Sequence, residues 1–250
     1  MARVIHFSGG QTSAYMTILL KPQADDVVLF TDTGREHPET YKFIEAFEQN
    51  EGIKVHTATY THKKAPGLTG FDALVAVKKY LPNRTQRICT EELKVMTARR
   101  YLVNTIGLKS YQSYIGFRAD EMQRVHRYKS AWKKVSVHFP LADMGITKAD
   151  VNNYWNSKPY KLNIPSILGN CDLCFLKGKN NIIKILQQFP DLAEKWIRDE
   201  SIIPVSGDYT KPATYISGIR YEHLLNAAQS QQQLFELEGA LPAYSCSCTT

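Results

Sequence analysis

Between a strand-like Arg3–Phe7 and a helix beginning near Thr12, the chain runs Ser8-Gly-Gly-Gln-Thr-Ser13. Gly9 and Gly10 let backbone N–H groups approach an anion closely, and the helix N-terminus adds its positive end. Ser8, Thr12 and Ser13 contribute hydroxyl donors, with Gln11 between them. This chemistry suits phosphate oxygens. It is not a GxxxxGK[ST] loop, whose spacing and lysine are missing, and the same six residues could form a plain glycine turn with a Ser or Thr cap. Two further polar, glycine-containing stretches are Thr31-Asp-Thr-Gly-Arg-Glu-His-Pro-Glu-Thr40 and Gly116-Phe-Arg-Ala-Asp-Glu121.

Cysteine chemistry is concentrated elsewhere. Cys171-Asp-Leu-Cys174 has the spacing at which one turn aims two thiolates at one metal. A redox dithiol or two packed thiols would have the same spacing. Cys89 stands alone, and Cys246-Ser-Cys248 is close to the end of the sequence. The seven histidines lack metal-binding spacing, so none is assigned to a metal. Trp132, Trp155 and Trp196 are expected in packing.

Bringing three polar loops together requires a scaffold that ends several strands at one edge. Asp26-Val-Val-Leu-Phe30 is nearly all apolar, as in a strand covered on both faces of a parallel sheet. Pro38 suits the first turn of a helix, which carries Tyr41, Ile44 and Phe47 on one face. Ile53–Tyr60 reads as a third strand and Tyr111–Gly116 as a fourth. Between them, Glu91–Ile106 has Val95, Ala98, Leu102 and Ile106 at helical spacing. The alternation predicts an α/β fold: an open, mostly parallel sheet flanked by helices, with its ligand crevice at the strand C-ends. Asp143–Tyr160 reads as another helix. After Pro165 come the cysteine-bearing turn, helices near 178–189 and 190–200, and a tail with a Gln-rich helix at Gln229–Gln233. An α/β domain over 1–165 is expected, with a helical, cysteine-containing region over 166–250 packed on it.

The 250 residues are 43% hydrophobic and 22% charged, which excludes a collagen-like or largely disordered chain. No apolar run approaches the ~20 residues that span a bilayer. Met1-Ala-Arg leads into strand-like sequence rather than a signal peptide, so a cytoplasmic location without a membrane partner is expected. In that compartment five cysteines are thiols or metal ligands rather than disulfides. The net charge of +7 is uneven: residues 61–134 hold sixteen Lys/Arg against five Asp/Glu. Such a segment suits an anionic partner, nucleotide or nucleic acid, or is a solvated basic face.

These motifs, in this order, resemble the PP-loop superfamily, in the branch that contains phosphoadenosine phosphosulfate (PAPS) reductases. Ser8–Ser13 is similar to the SGGxxS pyrophosphate loop and Phe30–Thr40 to the F-x-DTG-x-E-x-PET segment. Cys89-Thr-Glu-Glu-Leu-Lys94 resembles C-x-x-x-LK, and Gly116–Glu121 resembles GxRxDE. Phe139-Pro-Leu-Ala-Asp143 with Asp150-Val151 resembles P-L-x-D…DV. The resemblance covers about residues 4–180 and fades beyond 200. It departs from the reductases in two places. They carry a serine-rich loop where this chain keeps SGG, and an E-C-G-x-H tail where this chain reads Tyr244-Ser-Cys-Ser-Cys248. It also has Gln11 and Thr12 where many ATP pyrophosphatases have an acid.

The resemblance implies an enzyme that binds ATP with Mg²⁺ and cleaves it to AMP and pyrophosphate. The cleavage would adenylate an acceptor for sulfur transfer (thiolation). The alternatives are a sulfonucleotide reductase using a thiol electron donor, and a non-catalytic nucleotide or nucleic-acid module of a phage defence or modification system. Ser8, Gly9, Gly10, Gln11, Thr12 and Ser13 would hold phosphates, while Asp32, Gly34 and Gly116 would lie by the nucleotide. Arg118, and after it Lys94, would neutralise developing charge. The other reading of Arg118 is an ion pair with Asp120 or Glu121, and of Asp32 a helix cap. The acceptor would be tRNA or DNA held by residues 61–134, with a separate sulfur donor protein. Cys89, Cys171, Cys174 and Cys248, with Cys246 a close rival, would hold a [4Fe–4S] cluster in preference to Zn²⁺.

Overall fold

A computed structural model describes residues 1–128, 132–169, 171–205 and 208–230. Val4, Ile5 and Val27 to Phe30 are buried on both faces, which places their strands at the middle of a sheet. The sheet comprises β1 (Arg3–His6), β2 (Val27–Asp32), β3 (His56–Thr59), β4 (Tyr111–Tyr114) and β5 (Val135–His138). All pair in parallel in the order β3-β2-β1-β4-β5. Val4 of β1 lies between Val27 of β2 and Ser113 of β4. The direction of winding reverses between β1 and β4, and in such sheets a ligand crevice opens at that reversal.

On one face lie α1 (Gln11–Leu20), α2 (Pro38–Glu51) and, from later in the chain, residues 148–156. Their core joins Ile5 and Phe7 to Met16, Phe43, Phe47 and Trp155. Pro22 follows a left-handed Lys21 (φ 45°) at the end of α1. His37 caps α2, with Pro38 in its first turn. The next helix, α3 (Gly70–Lys78), precedes a continuous helical run over 90–105 on the opposite face. Only its middle, α4 (Thr97–Arg100), is α-helical, and π-helical turns flank it at Thr90–Met96 and Tyr101–Thr105. Ala98 and Leu102 pack there on Val4, Leu29 and Tyr111.

Then follow α5 (Met122–Arg127), α6 (Pro140–Asp143), α7 (Lys148–Asn156), α8 (Lys179–Gln188) and α9 (Ala193–Ile202). A short antiparallel pair, β6 (Pro204–Val205) and β7 (Asp208–Pro212), leads to α10 (Tyr221–Ser230). A third core joins Phe71, Leu74 and Leu93 to Leu173, Ile182, Leu186, Trp196 and Tyr221. The cysteine-bearing region thus shares its apolar interior with α3 and the start of the 90–105 helix.

The open parallel α/β sheet agrees with the pattern in the sequence. Several boundaries differ. Strand three keeps only His56–Thr59 of the expected Ile53–Tyr60. Asp143–Tyr160 divides, because Gly145 takes a left-handed φ of 72° between α6 and α7. The sequence reading contained neither α3 nor β5, the latter only four residues long. Of the Gln-rich helix, Gln229 and Ser230 end α10, and residues 231–233 lie outside the described residues. Among the described residues, no helix is long and apolar enough to cross a membrane.

Candidate active site

The loop after β1 closes on itself. Ser13 Oγ accepts the Ser8 N–H at 2.9 Å and donates to the Gly10 carbonyl at 2.9 Å. Ser13 is buried. Its hydroxyl therefore shapes the loop, in place of the phosphate contact expected for it. Gly9 has φ 75°, and a Cβ built there would stand 2.5 Å from Thr40 Cγ2, so only glycine lets α2 pack so closely. Gly10 is the extended N-cap of α1 (φ −107°, ψ 161°), and its Cβ would meet only Ser8 Oγ, at 3.6 Å. No side chain caps α1, and its first turn has no acid. The free N–H groups and positive helix end are left facing this loop. Trp155 Nε1 donates to the Gln11 carbonyl at 2.9 Å, fixing the helix start from α7.

The loop after β4 lies beside it. A Cβ on Gly116 would sit 3.6 Å from Ser13 Cα. Arg118 Nη1 reaches Thr12 Oγ1 at 3.4 Å, while Nε donates to Asp120 at 2.9 Å and Nη1 lies 3.2 Å from Glu121. Arg118 thus forms the ion pairs that were its alternative reading, and it also borders the first loop. On the β2 side, Asp32 Oδ1 accepts from the Gly34 N–H and the Tyr41 hydroxyl, both at 2.8 Å. The cap of α2 is His37, whose Nδ1 accepts the Glu39 N–H at 3.2 Å. Asp32 is thus not the helix cap that was its alternative.

Cys89, Cys171 and Cys174 line one pocket with Thr33, Thr90, Lys94, Phe71 and Trp196. Thr33 Oγ1 is 3.6 Å from Cys171 Sγ. Glu36 accepts the Thr33 N–H at 3.1 Å and its hydroxyl at 2.8 Å. Burial pushes the Glu36 carboxyl up to about 7, with Lys94 drawing it down and Asp32 pushing it up. Lys94 is buried and lines this thiol pocket, near enough to Glu36 to draw its carboxyl down. Sulfur donors from two chain segments opening on one pocket fit the chemistry of a thiolate-bound cluster or zinc. Among the described residues, no three His, Cys, Asp or Glu side chains are grouped tightly enough to hold a metal ion. Cys246 and Cys248 lie outside the described residues.

The basic segment is spread over α3, the 90–105 helix, β4 and α5. Lys78 and Arg100 both pair with Glu92, Arg124 pairs with Glu121, and Arg99 stacks 4.6 Å from the Trp132 ring centre.

Three contributors, Gly70, Arg35 and Asp199, are absent from the candidate residues of the sequence. Gly70 starts α3 against the loop after β2: its Cβ would stand 2.4 Å from the Thr33 carbonyl oxygen, which accepts the Phe71 N–H at 2.8 Å. The Thr-Gly pair before an apolar run was the available signal. Arg35 and Asp199 form a buried ion pair at 2.6 Å. They are 164 residues apart, and no local pattern announces them.

The open parallel sheet, with its glycine loop after β1, is that of an α/β protein of the PP-loop kind. The family described as "Phosphoadenosine phosphosulfate reductase domain" matches residues 2–164. The chain belongs to this PAPS reductase-like family. It is 30% identical over 206 residues to the uncharacterized nin region protein ORF290 of Escherichia phage lambda, covering 73% of this chain and 68% of that one. It is 28% identical over 208 residues to uncharacterized protein MJ0066 of Methanocaldococcus jannaschii, covering 77% of this chain and 40% of that one. The chain thus spans about two thirds of the phage protein and under half of the archaeal one. A crystal structure of PAPS reductase from Candida auris, in a phosphate complex, aligns at a TM-score of 0.46 and 18% identity, over 64% of this chain and 74% of that one.

Proposed function

We propose that the crevice between β1 and β4 binds ATP and directs its cleavage to AMP and pyrophosphate, adenylating an acceptor for sulfur transfer. The observation that carries this reading is the loop after β1: two glycines, an uncapped helix N-terminus free of acids, and Arg118 3.4 Å from Thr12 at its rim. The N–H groups of Gly9 and Gly10, with Ser8, Gln11 and Thr12, bind the phosphate chain. Asp32, Gly34 and Gly116 border the nucleoside. An acceptor oxygen attacks the α-phosphorus and releases its proton to solvent. The bond to the bridging oxygen breaks, and pyrophosphate leaves with the electron pair. Arg118 stabilises that charge, its planar fork suiting two phosphate oxygens. Mg²⁺ carried on the phosphates would neutralise part of their charge; the loop's amides would bind phosphate oxygens, and the hydroxyls of Ser8 and Thr12 would be the oxygen donors available to the metal. A [4Fe–4S] cluster, or Zn²⁺ in its place, would be held by Cys89, Cys171, Cys174 and Cys248 or Cys246, and would supply the sulfur-handling chemistry. The acceptor is tRNA or DNA, with a sulfur donor protein.

The family match favours a second reading, reduction of a sulfonucleotide by a thiol donor. Incubation with α-labelled ATP, with and without tRNA or DNA, separates the two. The first reading expects AMP and pyrophosphate whose formation depends on the polymer. Sulfite release from PAPS in the presence of a dithiol, with no AMP from ATP, would overturn it in favour of the second.

A further inference from the structure

Arg35 follows the exposed Gly34 in the loop after β2, and its side chain is wholly buried. One nitrogen, Nη2, donates to Asp199 of α9 at 2.6 Å and to Asp72 of α3 at 2.8 Å. The Tyr215 hydroxyl donates to the same Asp199 oxygen at 2.8 Å. The guanidinium carbon lies 5.0 Å from the Phe71 ring centre and 5.6 Å from that of Trp196. Those two rings also line the cysteine pocket. Nε and Nη1 of Arg35 are buried without a hydrogen-bond partner.

As a stability device this arrangement is poor, because a buried cation with unmade donors loses more than a well-packed apolar side chain would. Its backbone contacts suggest another purpose. The Asp172 N–H donates to the Arg35 carbonyl at 2.8 Å, and Glu36 pairs with Cys171 in an antiparallel bridge. Residues 35 and 36 are thus laced to the Cys171–Cys174 turn, while the Arg35 side chain grips the helices on either side.

We propose that Arg35 is a positioning residue: its ion lock with Asp72 and Asp199 sets the register between the loop after β2 and the Cys171–Cys174 turn, holding both thiols in the pocket beside the crevice. Its catalytic consequence rests on the nucleotide reading above, but the lock itself does not. Buried ion pairs are best attested in such register-setting parts. A mere staple would change the melting temperature and leave the thiols alone. A register device changes the thiols in protein that still folds.

The test compares wild type with Arg35→Lys, Arg35→Met and the double variant Arg35→Met/Asp199→Leu, all in the full chain. Iodoacetamide alkylation at Cys171 and Cys174 is followed by peptide mass spectrometry, beside circular dichroism, thermal melting and ATP affinity. The double variant is expected to stay folded, melt close to wild type, and alkylate both thiols at least tenfold faster. Arg35→Lys is expected to restore an intermediate rate. Wild-type alkylation rates in a folded variant lacking the guanidinium would overturn the proposal. So would unfolding of both Met variants, which would make the lock a condition of folding rather than of register. ATP affinity reads the other site separately: absent binding in wild type defeats the nucleotide reading and leaves the thiol rates to decide this one.

Discussion

Around the loop after β1, most polar contacts close within a few residues: Ser13 with Ser8 and Gly10, Arg118 with Asp120 and Glu121. Around the cysteine pocket they reach across the chain. Arg35 meets Asp199, Trp196 Nε1 donates to Asp172 at 2.9 Å, and the Tyr221 hydroxyl donates to the Leu173 carbonyl at 2.5 Å. The first region is a half-exposed rim set on a rigid sheet. The second is an interior whose Arg35–Asp199 pair and several buried donors take their partners from distant segments. A locally closed loop can exchange its exposed side chains without loss of fold, whereas the interlocked pocket cannot lose one partner cheaply.

The sharpest break in that contrast is Asp199→Ala. It strands the buried Arg35 guanidinium and should cost about 3–5 kcal/mol of stability, read from denaturant melts. A loss under about 1 kcal/mol would mean that the pocket is not interlocked. Gly9→Val probes the place where the first loop packs most closely on α2. The side chain must adopt a left-handed backbone and would meet Thr40 Cγ2, so a loss of roughly 2–4 kcal/mol is expected. The cause is packing against α2, and nucleotide binding would suffer only as a consequence.

The two regions should also respond to pH in opposite senses. Glu200 of α9 accepts N–H groups from Tyr215 at 3.2 Å and Tyr221 at 2.8 Å, and burial pushes its carboxyl up to about 7. Its folded pKa lies above the unfolded value, so its contribution is full below about 4.5 and is lost as pH rises towards 7, by at most about 3 kcal/mol. His6 of β1, 2.9 Å from Ser113 Oγ, is driven down to about 4 by burial. Its contribution is present above about 6.5 and is lost as pH falls towards 4. Melting across pH 4–8 should therefore flatten on the neutral side in Glu200→Gln and on the acid side in His6→Asn. If either variant keeps the wild-type curve, that group is not the source.

The same contrast explains what was legible in the sequence. Apolar runs such as Val27–Phe30 and the helix-start signal at Pro38 encode their elements locally, and so do the three glycine-containing loops. Their meeting at one edge followed from strand order alone. The lock between Arg35 and Asp199 has no local trace. Lys94 was legible as part of the Cys89–Lys94 motif, but its electrostatic coupling to Glu36 in the loop after β2 has no local trace. Helix α3 was obscured because its start is fixed by the Thr33 carbonyl rather than by a side-chain cap. Strand β5 lies at the sheet edge with only Val135 buried, so no apolar run marks it.

Gly10→Asp tests most directly the proposal that the loop after β1 binds phosphate. The backbone at Gly10 suits any residue, and an aspartate there is a favourable N-cap for α1. The added carboxylate, on the side of the Ser8 hydroxyl, would occupy and repel the space assigned to phosphate. Titration calorimetry with ATP should show at least a hundredfold weaker binding in a variant that melts no lower than wild type. Undiminished ATP affinity in that folded variant would contradict the account.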